Sequence, residues 1–208
     1  MIAIIDYDAG NLTSVSRALT HIGVKHTITN NVCEIEKADR IIFPGVGAAG
    51  SAMQSLKRDG LDKALQEAFS AGKPILGICL GSQIILGYSE ENQTQCLGLI
   101  DGIVRGFSDE FRINKVSGLK IPHMGWNQIQ CLTRHPVLDG VTDVDEFYFV
   151  RSYFPSPKDK AYVIATTDYG IDFPCVIGTK NIIAAQFHPE KSGKPGLAIL
   201  KNFCKWKP

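Results

Sequence analysis

The sequence predicts an α/β fold: a single domain with a largely parallel sheet flanked by helices, carrying an antiparallel extension. Three observations lead there. Short, continuous apolar runs alternate with helix-period segments through the first half, the rhythm of strands buried on both faces by crossover helices. The second half changes texture to strand-like runs joined by turns. The chain has 208 residues, 44% hydrophobic and 21% charged. That is enough to bury a core of its own, and too ordinary for disorder, collagen or a disulfide scaffold.

The elements follow in order. Residues 2–6 are an apolar run ending at Asp6, read as a buried strand; with no basic segment before it, it does not read as a signal peptide. After Gly10-Asn11, the apolar residues Leu12, Val15, Leu19 and Ile22 fall at helical spacing. Residues 25–29 and 38–43 read as strands, the second stopped by Pro44-Gly45. Residues 51–71 read as a helix in two pieces broken around Asp59-Gly60. Residues 74–78 read as another buried strand, and 82–86 open a helix. Beyond them, 97–107, 119–129, 146–153, 162–167, 175–178 and 182–187 read as strands, with a hairpin loop at 179–181 and a closing helix at 195–206. No linker, repeat or low-complexity segment interrupts residues 1–208, so one domain is expected.

Composition narrows the function. Lys plus Arg is 22 against 21 for Asp plus Glu, a net charge of +1, with no basic excess for nucleic acid and no polybasic run for a membrane surface. No apolar run approaches the roughly 18 residues of a spanning helix. The six cysteines form no CxxC pair and are too scattered for a zinc cluster, so no metal or cofactor is expected, and a reducing, cytoplasmic compartment fits.

The segment richest in chemistry is Gly77-Ile78-Cys79-Leu80-Gly81. An apolar strand runs into G-x-C-x-G and then a helix, the cysteine form of a nucleophile elbow. Such a turn strains its central residue, and a Cβ at either glycine is expected to collide across it. The sulfur faces the start of the following helix, which favours thiolate. The Leu80 N–H, first after the nucleophile, is placed to donate to an oxyanion. A base is supplied by His188, which follows an apolar strand where open-sheet sites collect. Pro189 stiffens the turn, and Glu190 can orient the imidazole. Nucleophile, base and orienter are then Cys79, His188 and Glu190.

Gly45-Val46-Gly47-Ala48-Ala49-Gly50 is a literal G-x-G-x-x-G between a strand and a helix. Pro44 before it, and the absence of an acidic residue at a strand end about 20 positions on, oppose a dinucleotide site. The reading favoured instead is that Gly45 and Gly47 let the Val46 amide turn toward the elbow as a second oxyanion donor.

These motifs resemble class I (triad) glutamine amidotransferases, and within them the glutaminase subunits of imidazole glycerol phosphate synthases. The matching stretches span nearly the whole chain: Ile4-Ile5-Asp6-Tyr7, Gly10-Asn11-Leu12, Pro44 to Gly47, the elbow with Gln83, Ser89-Glu90-Glu91, Pro122-His123-Met124-Gly125-Trp126-Asn127, Ser152-Tyr153, Thr167 to Gly170, and Gln186 to Gly193. The resemblance implies that Cys79 forms a glutamyl thioester, that Val46 and Leu80 make the oxyanion hole, and that Gly45, Gly47, Gln83, Glu91, Ser152 and Tyr153 line the glutamine pocket. It implies a heterodimer with a (β/α)₈-barrel cyclase in histidine biosynthesis, which receives the ammonia, with Pro122, His123, Met124, Trp126, Asn127 and Lys191 at the interface. Three positions depart from the family pattern: Ser82 for Met, Asn92 for Gly and Arg151 for His. Paralogues that feed sugar amidotransferases of polysaccharide synthesis share most of these motifs. A cysteine hydrolase on the same elbow is opposed by Gln83 and the Glu90-Glu91 pair, and a subunit without catalysis by the intact triad.

Overall fold

In the computed structural model, which describes residues 1–8 and 10–208, the first half runs β1 (Ile2–Ile5), α1 (Leu12–His21), β2 (His26–Thr29), α2 (Val32–Lys37), β3 (Arg40–Gly45), α3 (Ala49–Arg58), α4 (Leu61–Ser70), β4 (Ile75–Cys79) and α5 (Leu80–Ile84). The second half runs β5 (Tyr88–Ser89), β6 (Thr94–Gln95), β7 (Gly102–Gly106), α6 (Phe107–Ile113), β8 (His123–Gln128), β9 (Gln130–Cys131), β10 (Glu146–Arg151), β11 (Tyr153–Pro157), β12 (Val163–Asp168), β13 (Asp172–Thr179), β14 (Ile182–Ala185) and α7 (Gly193–Lys205).

The main sheet has eight strands in the order β2-β1-β3-β4-β14-β13-β12-β9. Its first five strands are mutually parallel. The last three add antiparallel pairings, the expected extension. Side chains alternate across each strand and so divide one core into two. Ile2, Ile4, Ile42, Leu76 and Ile78 pack with Val15 and Leu19 of α1 and with Ile199, Leu200 and Phe203 of α7. Ile5, Ile41, Phe43 and Ile75 face the other way, against Ile35, Met53, Leu56, Leu61, Leu65 and Ile84 of α2 to α5. The carboxyl ends of β1, β3, β4 and β14 therefore open on one edge, where open α/β sheets collect their chemistry.

Several elements differ from the sequence reading. Helix α2 was not expected: it is six residues long, buries Ile35 alone, and is capped by Asn31, whose side chain accepts from the Cys33 N–H at 2.9 Å. So little apolar spacing leaves no periodic signal. The expected strand 97–107 shrinks to β7, and α6 follows, held by Phe107 and Phe111 one turn apart. The expected strand 146–153 is two strands. At Ser152 the chain leaves β10, paired with β8, and enters β11, which pairs with β7 in a separate sheet ordered β11-β7-β5-β6. A continuous aromatic run hides that corner. The 179–181 loop is the hairpin it was expected to be, joining β13 to β14, and the Asn181 side chain donates to the carbonyls of Phe69 and Lys73 at 3.0 and 2.7 Å.

Helix α7 sits directly on the turn that carries His188 and Glu190. A Cβ on Gly196 would lie 2.0 Å from the Pro189 carbonyl oxygen. Gly196→Ala is expected to push the turn and helix apart, costing about 1–3 kcal/mol of stability as overpacking does and lowering Tm by several degrees. Thermal unfolding followed by circular dichroism checks this; an unchanged Tm would mean that the helix is not seated on the turn.

Candidate active site

Strand β4 ends in Cys79 at φ 54° and ψ −107°, a region that side chains rarely enter. The neighbours enforce it. The Ser82 hydroxyl donates to the Cys79 carbonyl at 2.6 Å. At Gly77 the expected collision across the turn is present, since a Cβ would lie 3.0 Å from the Gly81 carbonyl oxygen. At Gly81 the obstacle is a different one: a Cβ would lie 1.9 Å from the Phe43 carbonyl oxygen in the adjacent strand β3. The helix that follows starts at Leu80, two residues before the expected start.

The loop after β3 also differs from expectation. Pro44 and Gly45 belong to the strand and pair with Ile78 and Cys79. Proline is tolerated there because β1 pairs with β3 only as far as Ile42, so no ladder donor is lost. The two glycines serve different ends. A Cβ on Gly45 would lie 2.0 Å from the Tyr7 hydroxyl, so Gly45 is required by close approach. Gly47 lies at φ 92° with open space around it, so it alone supplies conformational freedom. Val46, between them, is exposed, while Leu80 is buried.

His188 and Glu190 stand just past β14. The His188 Nδ1 and Glu190 Oε1 are 2.8 Å apart, and both side chains are almost wholly shielded from solvent. The backbone pins this turn: the His188 N–H donates to the Tyr148 carbonyl at 2.9 Å, and the Ser192 hydroxyl donates to the His188 carbonyl at 2.6 Å. Burial disfavours the imidazolium, but hydrogen bonding and charge from Cys79 and Glu190 outweigh it and lift the His188 pKa to about 9. Asn11, quoted in the sequence only as part of a matching stretch, donates through Nδ2 to Glu190 Oε1 at 2.5 Å. It thus fixes the carboxylate that fixes the ring. Tyr7 lies below, its phenol held protonated by burial and by the neighbouring Cys79.

The expected glutamine-pocket residues converge on an unexpected one. Arg151 donates to Gln83 Oε1 at 3.0 and 3.1 Å, to the Gly47 carbonyl at 2.6 Å and to Glu91 Oε2 at 2.7 Å. Glu91 Oε2 also accepts from the Ala49 N–H at 2.8 Å. Glu90 points elsewhere and accepts from Gly106 N–H at 2.8 Å. Ser152 and Tyr153 are half-buried beside this cluster, and the Tyr153 carbonyl accepts from Gln83 at 2.8 Å. Sequence reasoning met Arg151 as a departure and gave it no role; its three acceptors come from β3's loop, α5 and the Glu91 turn, distances a linear reading cannot see.

The expected interface residues divide by strand parity. Pro122, Met124 and Trp126 are exposed, the latter two at 61% and 54%. His123 is buried, contrary to an interface role. Its ring stacks between Phe149 and Tyr169 with centroids 4.8 and 4.0 Å away, and burial takes its pKa down to about 4. Asn127 is half-buried and donates to the Asp168 carbonyl at 2.7 Å, a structural tie within the chain. Lys191 is exposed, with Nζ 5.9 Å above the Tyr148 ring.

The profile of the family "Glutamine amidotransferase class-I" matches residues 3–206. The chain belongs to that family. Among curated relatives, the imidazole glycerol phosphate synthase subunit HisH of Desulfovibrio desulfuricans (strain ATCC 27774 / DSM 6949 / MB) is 50% identical over 206 residues, 99% of this chain and 94% of the relative. The protein of the same name from Listeria monocytogenes serotype 4b (strain CLIP80459) is 50% identical over 204 residues, 98% of this chain and 94% of the relative. Among solved structures, a glutamine amidotransferase superposes with TM-score 0.74 at 17% identity, covering 98% of this chain and all of that one. PurLQS from Thermotoga maritima superposes at 0.75 with 15% identity, covering 98% of this chain and 97% of that one. At that distance the likeness is of fold. As a class-I glutamine amidotransferase, the chain is a glutamine-hydrolysing enzyme.

The raised pKa of His188 carries a pH signature. Its folded value of about 9 lies above the ordinary 6.5, so its protonation stabilises the fold fully below pH 6.5, and that stabilisation is lost as pH rises through about 9. Glu190→Gln removes one of the two partners. The His188 ring titration, followed by NMR, is expected to fall below 9, and the loss of urea stability between pH 6.5 and 9 is expected to shrink. A midpoint unmoved by the substitution would exclude Glu190 as the orienter.

Proposed function

We propose that this chain is the glutaminase subunit of an imidazole glycerol phosphate synthase in histidine biosynthesis, working in the cytoplasm as a heterodimer with a (β/α)₈-barrel cyclase, and that residues 1–208 act as one catalytic domain. The observation that carries the chemistry is the strained Cys79 turn beside the paired His188 and Glu190. The Cys79 sulfur, its proton held on His188, attacks the carboxamide carbon of glutamine. The N–H groups of Leu80 and Val46 receive the oxyanion. As the C–N bond breaks, His188 returns the proton to the departing nitrogen, which leaves as ammonia. Water, deprotonated by His188, then cleaves the thioester to glutamate and free thiol. Gln83, Glu91, Ser152 and Tyr153, with the Gly45 to Gly47 loop, hold the substrate. The reading accords with the names of the relatives, which favour the cyclase over a sugar amidotransferase.

The exposed patch next to the triad supports the partner. Trp126 meets the Tyr148 ring edge-on at 6.0 Å, Lys191 lies over the same ring, and the Tyr148 carbonyl holds the His188 backbone. An apolar centre with a cation at its rim suits an interface, and here it borders the site that releases ammonia.

Cys79→Ala should abolish glutamine hydrolysis while synthesis supported by added ammonium survives, because free ammonia bypasses the thiol. Residual glutaminase activity in that variant would remove Cys79 from the mechanism. Trp126→Ala should weaken the complex with the cyclase by on the order of tenfold or more, the loss of an aromatic anchor, with the chain's own Tm within a degree or two. Titration calorimetry measures it. An unchanged Kd, or glutamine-dependent product appearing with a sugar amidotransferase and not with the cyclase, would reject the partner.

A further inference from the structure

A line of buried polar side chains joins the pocket to the nucleophile. Arg151 donates through Nε and Nη2 to Gln83 Oε1. Gln83 Nε2 donates to the Tyr153 carbonyl at 2.8 Å and to Gln186 Oε1 at 2.7 Å. Gln186 Nε2 then lies 3.9 Å from Cys79 Sγ, within reach of a sulfur acceptor. Gln83 and Gln186 are fully buried, so no bulk water competes for either amide.

The direction of this line follows from which groups donate and which accept. A guanidinium has donors only, and a backbone carbonyl only accepts. Gln83 stands between one of each, so its oxygen must face Arg151 and its nitrogen must face Tyr153 and Gln186. Gln186 must then present its oxygen to Gln83, which leaves its N–H directed at the sulfur. Reversing Gln83 would set donor against donor at Arg151 and acceptor against acceptor at Tyr153, and reversing Gln186 would set donor against donor at Gln83. The remaining bonds of Arg151, to Glu91 and to the Gly47 carbonyl, hold the guanidinium against Gln83.

We propose that Arg151, Gln83 and Gln186 form a polarised relay that presents an N–H to Cys79 and favours its thiolate, with Gln186 and Arg151 as positioning residues for the attack on glutamine. The inference rests on Cys79 being the nucleophile. No proton moves along the relay. The thiol proton goes to His188, and the relay supplies aligned dipoles, each strengthened by the one before it. Arg151 is thereby more than a replacement for the family's histidine: it is a cap of fixed polarity on the far end of the line.

The test is the pH dependence of Cys79 alkylation by iodoacetamide, read by mass spectrometry of the Cys79 peptide from the full chain. Gln186→Met is expected to move the midpoint upward by about one unit, a roughly tenfold slower reaction at lower pH. Gln186→Glu keeps the acceptor for Gln83 but loses the N–H, and is expected to move it further; it also serves if the Met variant folds poorly. Arg151→Met is expected to move it the same way by less, and Arg151→Lys, again donor-only, to recover part of the loss. The double variant Gln186→Met with Arg151→Met should shift no further than Gln186→Met alone, because Arg151 acts through Gln186. An unchanged midpoint in both Gln186 variants, additive shifts in the double variant, or a Cys79 closed to the reagent up to pH 10 would each overturn the relay. Alkylation needs no glutamine turnover. Failure of the glutaminase reading would show separately, as a wild-type chain that alkylates at Cys79 and, with its partner, releases no ammonia.

Discussion

The left-handed turn at Cys79 is the constraint from which the site is assembled. It places a sulfur at the carboxyl edge of a parallel sheet and requires the chain on all sides to yield room. Gly81 yields it to the Phe43 carbonyl, Gly45 to the Tyr7 hydroxyl, and Gly77 to the returning Gly81 backbone. None of these contacts is attractive in itself. They are close approaches that the rest of the fold holds shut, with the strands β3 and β4 in register through Gly45 and Cys79. A residue in a sparsely populated conformation costs on the order of 1–3 kcal/mol and persists because its surroundings over-determine it.

The other side of the chemistry is held more gently. His188 and Glu190 sit on a short turn beyond β14, and hydrogen bonds hold it where backbone collision holds the elbow. Ser192, Tyr148 and Asn11 come from three different parts of the chain and converge on it. Asn11 matters because Glu190 is shielded from water, and Asn11 gives its Oε1 a second donor beside the ring. The candidate site therefore joins a sterically fixed Cys79 to a His188 held by hydrogen bonds, and the two meet because β4 and β14 are neighbours in the sheet.

Much of this was legible in the sequence, and the limits have physical reasons. The parallel half was readable because strands buried on both faces are continuous apolar runs, and 2–5, 41–43 and 75–79 are such runs. Cys79, His188 and Glu190 were readable because an elbow and a strand-end histidine are local patterns. What escaped was whatever depends on contact between distant segments or on a small number of residues. Helix α2 buries one side chain. The corner at Ser152 lies inside an unbroken aromatic run. Arg151 gains its meaning from Gly47, Gln83 and Glu91, which lie 104, 68 and 60 positions away. His123 was misplaced because its neighbours Met124 and Trp126 are exposed, and a motif read as a block does not reveal that alternate residues of a strand face opposite ways.

That alternation in β8 has an evolutionary consequence. His123 and Asn127 face inward, one stacked between Phe149 and Tyr169 and the other tied to Asp168, while Met124 and Trp126 face outward. One six-residue strand thus carries two sets of side chains in different surroundings. Substitutions at the outward positions leave the aromatic stack beneath them in place. If Met124 and Trp126 meet the proposed partner, rewriting every second letter of this strand would change that surface and leave the stack beneath it in place.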